Sequence, residues 1–545
     1  MLLLNKGALN SPADWQKAGV FLPLFDIEHI TQATLAAPQW VHFGAGNIFR
    51  GYIARISQTL LNKNLCHSGI IAAAPFDGEI IKRVCRPHDN LSLLVELHGD
   101  GTTTCEIIGS IVKALCLDGT SVEDEADMRG IFESPSLQLA SFTITEKGYS
   151  LHNINGDILP QVRSEIERGP ETARHTMSIV CALMLHRYKS GGAPIALVSM
   201  DNCSSNGELL QTSVLSIAHG WVKNGFADDG FINYLCDPDR VSFPWSMIDK
   251  ITPRPAQSTL EQLTEMGIAG LELITTSKGT FIAPFVNAEA SQYLIIEDKF
   301  PNGRPPFHLA GVFMTDRETV NRAERMKVMT CLNPLHTAMA VFGCLLGYQS
   351  IADAMRDPDI KRLVERIGKY EGLPVVVDPG IISPKAFLEE VLTERLPNPF
   401  IPDTPQRIVT DTSQKIPIRF GHTIKAYAEN PALDLNSLIG IPLAIAGWLR
   451  YLLGVDDSGN PMQLSPDPLL EYLKTQLAGI AFDDPDSCPA GRLNQILCND
   501  ALFSIDLCEC GLSGKIEQIF RSMLGGSDAV RATLKYYSND ETARV

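Results

Sequence analysis

The stretch WVHFGAGNIFRGYIARI, Trp40 to Ile56, runs from apolar strand-type residues through a glycine turn into an amphipathic helical pattern. Gly44 and Gly46 stand directly after the strand and before the helix, where backbone amides and a helix N-terminus can receive a pyrophosphate. Gly-x-Gly alone is a weak signal, because glycine also serves any ligand-free turn that needs positive φ. Asn47 and Arg50 belong to the same turn and helix start, and Arg50 either faces the pyrophosphate or is solvated. The next strand-like run, GIIAAAPFD, ends at Asp77. A carboxylate there can accept hydrogen bonds from the adenine-ribose hydroxyls and repel a 2′-phosphate, which favours NAD over NADP. The competing reading of Asp77 is that it merely opens the turn with Gly78. Gly44, Gly46, Asn47, Arg50 and Asp77 are thus the candidate cofactor-binding residues.

Working outward, LQLASFTIT and PIALVSM are further β-rich runs, separated from the first two by helical patterns such as FRGYIARISQTLLNK. That alternation indicates an α/β sheet with crossover helices. From about residue 320 the β signal fades, and ETVNRAERMKVM, HTAMAVFGCLLGYQSIADAM, KAFLEEVLTERL and LAIAGWLRYLLG follow in helical periodicity. The loop-rich KFPNGRPPFHLAGVFMTD, Lys299 to Asp316, is the boundary candidate. LPNPFIPDTPQ, inside the helical half, reads as an ordered functional loop.

A chain of 545 residues exceeds one ordinary core and suggests about two to four domains. With 45% hydrophobic and 20% charged residues it has the composition of a soluble globular protein. No run approaches eighteen uninterrupted apolar residues and MLLLNKGALN lacks the parts of a signal peptide, so a cytoplasmic protein without membrane contact is expected. A net charge of −17 argues against nonspecific nucleic-acid binding and requires any anionic ligand to meet locally placed Arg or Lys. Thirteen cysteines without framework spacing fit free thiols; only Cys508 and Cys510 stand close, and no metal is expected from them.

In KVMTCLNPLH, Lys327 to His336, Asn333 precedes Pro334, and proline favours the first helical position, so Asn333 reads as an N-cap. His336 reads equally as a core histidine, and Glu324 with Lys327 as a surface i,i+3 ion pair.

Other blocks change that balance. VHFGAGNIFR, TITEKGY (Thr143 to Tyr149), SMDNCSSNG (Ser199 to Gly207), FPWSMIDKITP (Phe243 to Pro253), ERMKVMTCLNPLH, RLPNPFIPDTPQRIVTDTSQK and AGWLRYLLGVDDSGNP occur in order over most of the chain. With them the sequence resembles the polyol-specific long-chain dehydrogenases, the family of mannitol 2-dehydrogenase, fructuronate reductase (mannonate oxidoreductase) and tagaturonate reductase. The resemblance implies an N-terminal Rossmann-type NAD-binding domain, residues 1–318. A mostly α-helical substrate-binding and catalytic domain, residues 319–545, follows it, with the active site in the cleft between and no metal in the chemistry. Carried over by position, Lys327 matches the catalytic lysine. Asn202 and Asn333 match the asparagines that hold the reacting oxygen, His336 the substrate-orienting histidine, and Glu324 the acid beside the lysine. Asp249 falls in the family's block near the nicotinamide, and Arg407 and Lys415 match its substrate-binding basic pair, with Arg419 a third nearby cation.

Two departures stand out. GAGNIFR differs from the relatives' GxGxFHR form, and the step from Lys327 to Asn333 is one position longer than in the relatives, with Pro334 following. On one continuous helix at about 100° per residue, Lys327 and His336 would face opposite ways; a helix break at Asn333 or a π-bulge restores convergence. By resemblance the reaction is hydride transfer between NAD(H) and a sugar-acid carbonyl, fructuronate to mannonate first. Mannitol 2-dehydrogenase or tagaturonate reductase activity is the alternative. A dinucleotide-binding regulatory protein without catalysis is the reading of another class. The expected partner is a small sugar acid or polyol, and the expected assembly a monomer or small homo-oligomer.

Overall fold

The computed structural model describes residues 1–153 and 155–539, which fall into two units: Met1–Leu97 with Thr102–Val320, and His98–Gly101 with Asn321–Val545.

In the first unit, six strands form one sheet: β1 (Trp40–Phe43), β2 (Ile70–Ala74), β3 (Ile111–Cys116), β4 (Leu139–Phe142), β5 (Ile195–Ser199) and β6 (Val241–Ser242). Their spatial order is β3-β2-β1-β4-β5-β6 and every pairing is parallel. Parallel strands need helical crossovers, and these cover both faces, which is why β1, β2, β4 and β5 are buried throughout and read as unbroken apolar runs. On one face Met128, Phe132, Met177, Val180, Val214 and Trp221 close the core; on the other Phe49, Tyr52, Ile56 and Leu60 do so. The four sequence-expected strands all lie in this sheet. β3, β6 and a second sheet ordered Phe285–Glu289, Ser92–Leu97, Thr103–Ile108, Val20–Phe21 were not singled out from sequence. Arg55 joins these layers by bonding Glu96 at 2.8 Å and Glu106 at 3.0 Å.

The boundary candidate, residues 299–316, is less irregular than its prolines suggest. It contains the strand Phe313–Thr315, paired parallel to Tyr293–Glu297, and the division between the units falls later, inside the helix Arg317–Arg325.

The second unit is helical, its core built on two helices, Gly440–Tyr451, buried along its whole length, and Asn333–Leu345, buried except at Asn333 and His336. They approach closely because Gly447 lacks a side chain: a Cβ there would lie 2.8 Å from the Phe342 ring. The start of Gly440–Tyr451 is held by the buried Glu371 carboxylate, which accepts the amides of Ile439, Gly440 and Ile441 at 2.9, 2.6 and 2.8 Å. Those three bonds satisfy first-turn donors and oppose the upward push that burial gives the Glu371 pKa. The AGWLRYLLGVDDSGNP block is explained by the same architecture: buried Arg450 donates to the carbonyls of Met523 and Val455, and Asp457 accepts the amides of Val530 and Arg531.

The run Arg317–Leu345 is long and apolar enough to cross a membrane, yet 78% of its most apolar stretch is buried within the protein, as in a core helix. One expectation is overturned outright. Cys498 is joined to Cys508 by a disulfide, Cα–Cα 5.2 Å, so not all thiols are free and Cys508 pairs across ten positions rather than with Cys510. A turn brings the two sulfurs together that linear proximity does not.

Candidate active site

The order of the central sheet reverses between β1 and β4, the position at which open α/β sheets bind ligands beyond the strand carboxyl ends. The glycine turn lies there. Gly44 has φ +105°, and a Cβ on it would stand 2.1 Å from the Thr143 carbonyl oxygen, so strand β4 approaches β1 closely only because this residue is glycine. Gly46 is different: it is exposed, with nothing within 4 Å of where its Cβ would project. That open space before the helix start fits the approach of a dinucleotide pyrophosphate.

Arg50 is not solvated. It is 1% exposed, and it donates to Ser92 Oγ (3.2 Å), the Ala283 carbonyl (2.8 Å) and Asn47 Oδ1 (3.1 Å). The guanidinium is spent on the interior and on orienting Asn47 at the turn. Asp77 adopts the turn-opening role, accepting the Glu79 amide at 3.2 Å, and its other oxygen accepts the Thr276 hydroxyl at 2.7 Å. These bonds hold a half-buried carboxylate just beyond β2, the place where a ribose diol would be read.

Two hubs that sequence reasoning missed organise the same strand ends. Asp201 accepts the amides of Ile144 and Thr145 and the Tyr149 hydroxyl, at 2.8, 3.0 and 2.6 Å, tying TITEKGY to SMDNCSSNG. Thr145 is thereby held at φ +63°, ψ 160°, a region almost confined to glycine that costs a β-branched residue about 1–3 kcal/mol. Asn206 donates to the Asp201 carbonyl and to the Ser246 carbonyl and hydroxyl and accepts the Ser246 amide, which anchors the exposed turn after β5 that carries Asn202. Ser246 opens the strand Ser246–Asp249, so buried Asp249 is fixed to the same scaffold. The signal for these hubs was their recurrence inside the family-like blocks; short polar residues bonding distant backbone leave no periodic trace.

His42 lies beneath the turn, bonded through Nδ1 to Ser141 Oγ (2.7 Å) and through Nε2 to Thr143 Oγ1 (2.8 Å), and stacked on Phe49. Burial holds its pKa down to about 3. An unfolded histidine titrates near 6.5, so between pH 6.5 and 3 the unfolded chain takes up a proton that the native chain refuses. Stability is therefore expected to fall as pH drops through that window, by up to about 1.4 kcal/mol per pH unit for this group. Urea titrations of the parent and of His42→Gln from pH 7 to 4.5 check it: the parent must lose stability more steeply, and parallel curves would contradict the assignment.

In the second unit, the extra residue between Lys327 and Asn333 is absorbed by both devices expected. Met326–Cys331 is a π turn, closed by the Leu332 amide on the Lys327 carbonyl (3.1 Å), and the chain then breaks at Leu332 (φ −133°, ψ −62°). The break falls one residue earlier than expected, which corrects the N-cap reading: Asn333 is the first helical residue, and its side chain caps nothing. Among the described residues that amide makes no hydrogen bond, so it is available to a ligand. Lys327 is 3% exposed, and Glu324 lies in the last turn of the preceding helix, Arg317–Arg325.

One turn beyond Asn333, the His336 imidazole has no hydrogen bond among the described residues. Burial, with Arg419, Arg395 and Arg407 nearby and Asp403 opposing them, lowers its pKa to about 4, so it is neutral at physiological pH. The basic residues around it are unlike one another. Arg407 is 73% exposed, and its fork is filled by Asp403 through both Nε and an Nη, which raises its pKa. Lys415 is turned onto the carbonyls of Ile408 and Thr410. Arg419 sits in a π turn, Pro417–Gly421, and among the described residues donates only through one Nη, to Thr337 Oγ1 (2.6 Å) and weakly to the Asn333 carbonyl (3.4 Å).

A Rossmann-order sheet with an open glycine turn at its switch point, and a helical unit with a buried lysine and an unengaged asparagine and histidine, define a dinucleotide-dependent oxidoreductase. Residues 38–309 match the mannitol dehydrogenase Rossmann domain and residues 319–504 the mannitol dehydrogenase C-terminal domain. The chain is 53% identical to the D-mannonate oxidoreductase of Thermotoga maritima over 534 residues, 98% of each chain. It is 27% identical to the D-mannonate oxidoreductase of Escherichia coli over 455 residues, 81% of this chain and 87% of the relative. Among solved structures, mannitol 2-dehydrogenase of Pseudomonas fluorescens, a ternary complex with NAD and D-mannitol, superposes with a TM-score of 0.69 at 24% identity, covering 98% of this chain and 99% of that one. A substrate-free D-sorbitol dehydrogenase superposes with a TM-score of 0.78 at 23% identity, covering 95% and 98%. The protein belongs to the mannitol dehydrogenase family.

Proposed function

We propose that the protein interconverts fructuronate and mannonate with NAD(H). The observation that carries this reading is the full-length 53% identity to a D-mannonate oxidoreductase. The exposed Gly46, the Asn47 held by Arg50 and the Asp77 carboxylate after β2 fit a dinucleotide without a 2′-phosphate. Bound NADH supplies the hydride for the keto carbon.

Lys327 supplies the proton to the oxygen of that carbonyl in reduction and removes it in oxidation, the task for which such chemistry elsewhere employs a metal. The Asn333 amide donates to that oxygen as its charge grows, with Glu324 as proton relay. In the first unit, Asn202 and Asp249 are the residues offered for substrate contact. His336, neutral at working pH, donates to or accepts from a substrate hydroxyl and so orients the chain of the sugar. Arg407 and Lys415 stand as substrate-binding residues.

The reading of the substrate as a neutral polyol has one observation in its favour, the capture of Arg407 by Asp403. Reduction of fructuronate with NADH carrying deuterium at both C4 positions decides the reaction. Mannonate carrying a single deuteron at the former keto carbon is the result expected, and deuterium-free mannonate or none at all overturns the proposal.

A further inference from the structure

We propose that Arg419 receives the carboxylate of the substrate and thereby sets the preference for a sugar acid over a neutral polyol. This rests on the sugar-acid reading above and goes beyond it by naming the group that recognises the acid.

Arg419, Arg395 and Arg407 lie near His336, with Lys415 beside Arg419 and Arg407. Arg395 is not without a partner, and of the other three, two are already engaged. Arg407 is held in a two-pronged pair by Asp403, the geometry a substrate carboxylate would otherwise take. Lys415 has turned its ammonium onto two main-chain carbonyls.

Arg419 alone of the three keeps most of its fork open. One Nη is tied to Thr337 and to the Asn333 carbonyl, while Nε and the other Nη have no protein acceptor among the described residues. No carboxylate within the described residues forms an ion pair with it, although it is partly withdrawn from solvent. A half-buried guanidinium without an anion is unfavourable, and partial loss of water accordingly lowers its pKa to about 10. An anionic ligand removes that penalty, and a planar fork with two adjacent N–H groups matches a carboxylate in particular.

Placement supports the same conclusion. Both anchors of Arg419 belong to the first turns of the helix Asn333–Leu345, which also carries the free Asn333 amide and the free His336 imidazole. The π turn that presents Arg419 is fixed by its last residue: a Cβ on Gly421 would overlap the Phe503 carbonyl oxygen at 1.8 Å. A π turn inside a helix is a feature frequent at functional sites.

The test uses the full-length protein saturated with NADH, and titrates it with mannonate and with mannitol by calorimetry. The parent is expected to bind mannonate more tightly. Arg419→Met should weaken mannonate about 100-fold or more while leaving mannitol and NADH affinities essentially unchanged. Arg419→Lys, which keeps the charge and loses the fork, should fall between. Should the methionine variant fail to fold, the lysine variant carries the test, as a fructuronate KM raised at least about tenfold at unchanged NADH affinity. Equal losses for mannonate and mannitol would show a merely structural arginine, and unchanged mannonate binding would exclude it as the receptor; either overturns the proposal. Deuterium transfer to fructuronate by the parent stands apart from these outcomes, so the proposal on Arg419 can fail while the reaction assignment survives.

Discussion

Lys327→Ala is expected to lower kcat for fructuronate reduction by about 10³-fold while NADH binding, followed by fluorescence, stays near the parent value. The size follows from general acid catalysis, which contributes about 10²–10⁴-fold when the acid is positioned. The positioning here is visible in the backbone: a π turn over Met326–Cys331 followed by a break at Leu332 adjusts how a lysine and an asparagine six positions apart are presented. Loss of NADH affinity in step with turnover would assign Lys327 to cofactor binding instead. Undiminished turnover would remove it from the chemistry, and a protein inactive in both forms would return weight to the regulatory reading.

The second large effect belongs to the first unit. Gly44→Ala should destabilise the protein by more than about 2 kcal/mol and abolish NADH binding, because the new Cβ meets the Thr143 carbonyl at 2.1 Å and the backbone φ of +105° is unsuited to alanine. Gly46→Ala is the matched control. Its Cβ enters open space, so denaturant unfolding should be close to that of the parent, whereas NADH affinity should fall about tenfold or more if that space receives the pyrophosphate. A Gly44→Ala variant with parental stability would contradict the close β1–β4 approach, and a Gly46→Ala variant with parental affinity would move the pyrophosphate elsewhere.

Much of this architecture could be read from residues in a row. The parallel strands β1, β2, β4 and β5 announce themselves because burial on both faces leaves only apolar, largely β-branched or alanine-rich runs. The glycine turn was legible for the same local reason. What escaped was set by partners far away in the chain. Nothing near Arg50 shows that its guanidinium will be taken by Ser92 and Ala283; the filling of the Arg407 fork by Asp403, four positions earlier, was by contrast a local pair that the sequence reading passed over. The N-cap assignment failed by one residue because Pro334 permits a helix start on either side of Asn333, and the π turn before it chose Leu332. The Cys498–Cys508 pair needed a turn that spacing alone does not reveal. Asp201 and Asn206 were inside quoted blocks yet unremarked, since their work is hydrogen bonding to distant backbone.

The most direct measurement is kcat/KM for fructuronate, tagaturonate and fructose, each offered separately with NADH at neutral pH, and with NADPH as control. A marked preference for fructuronate with NADH is the result this structure predicts, from the relatives it matches and from the open fork of Arg419. Faster reduction of fructose, or turnover with NADPH alone, would contradict it.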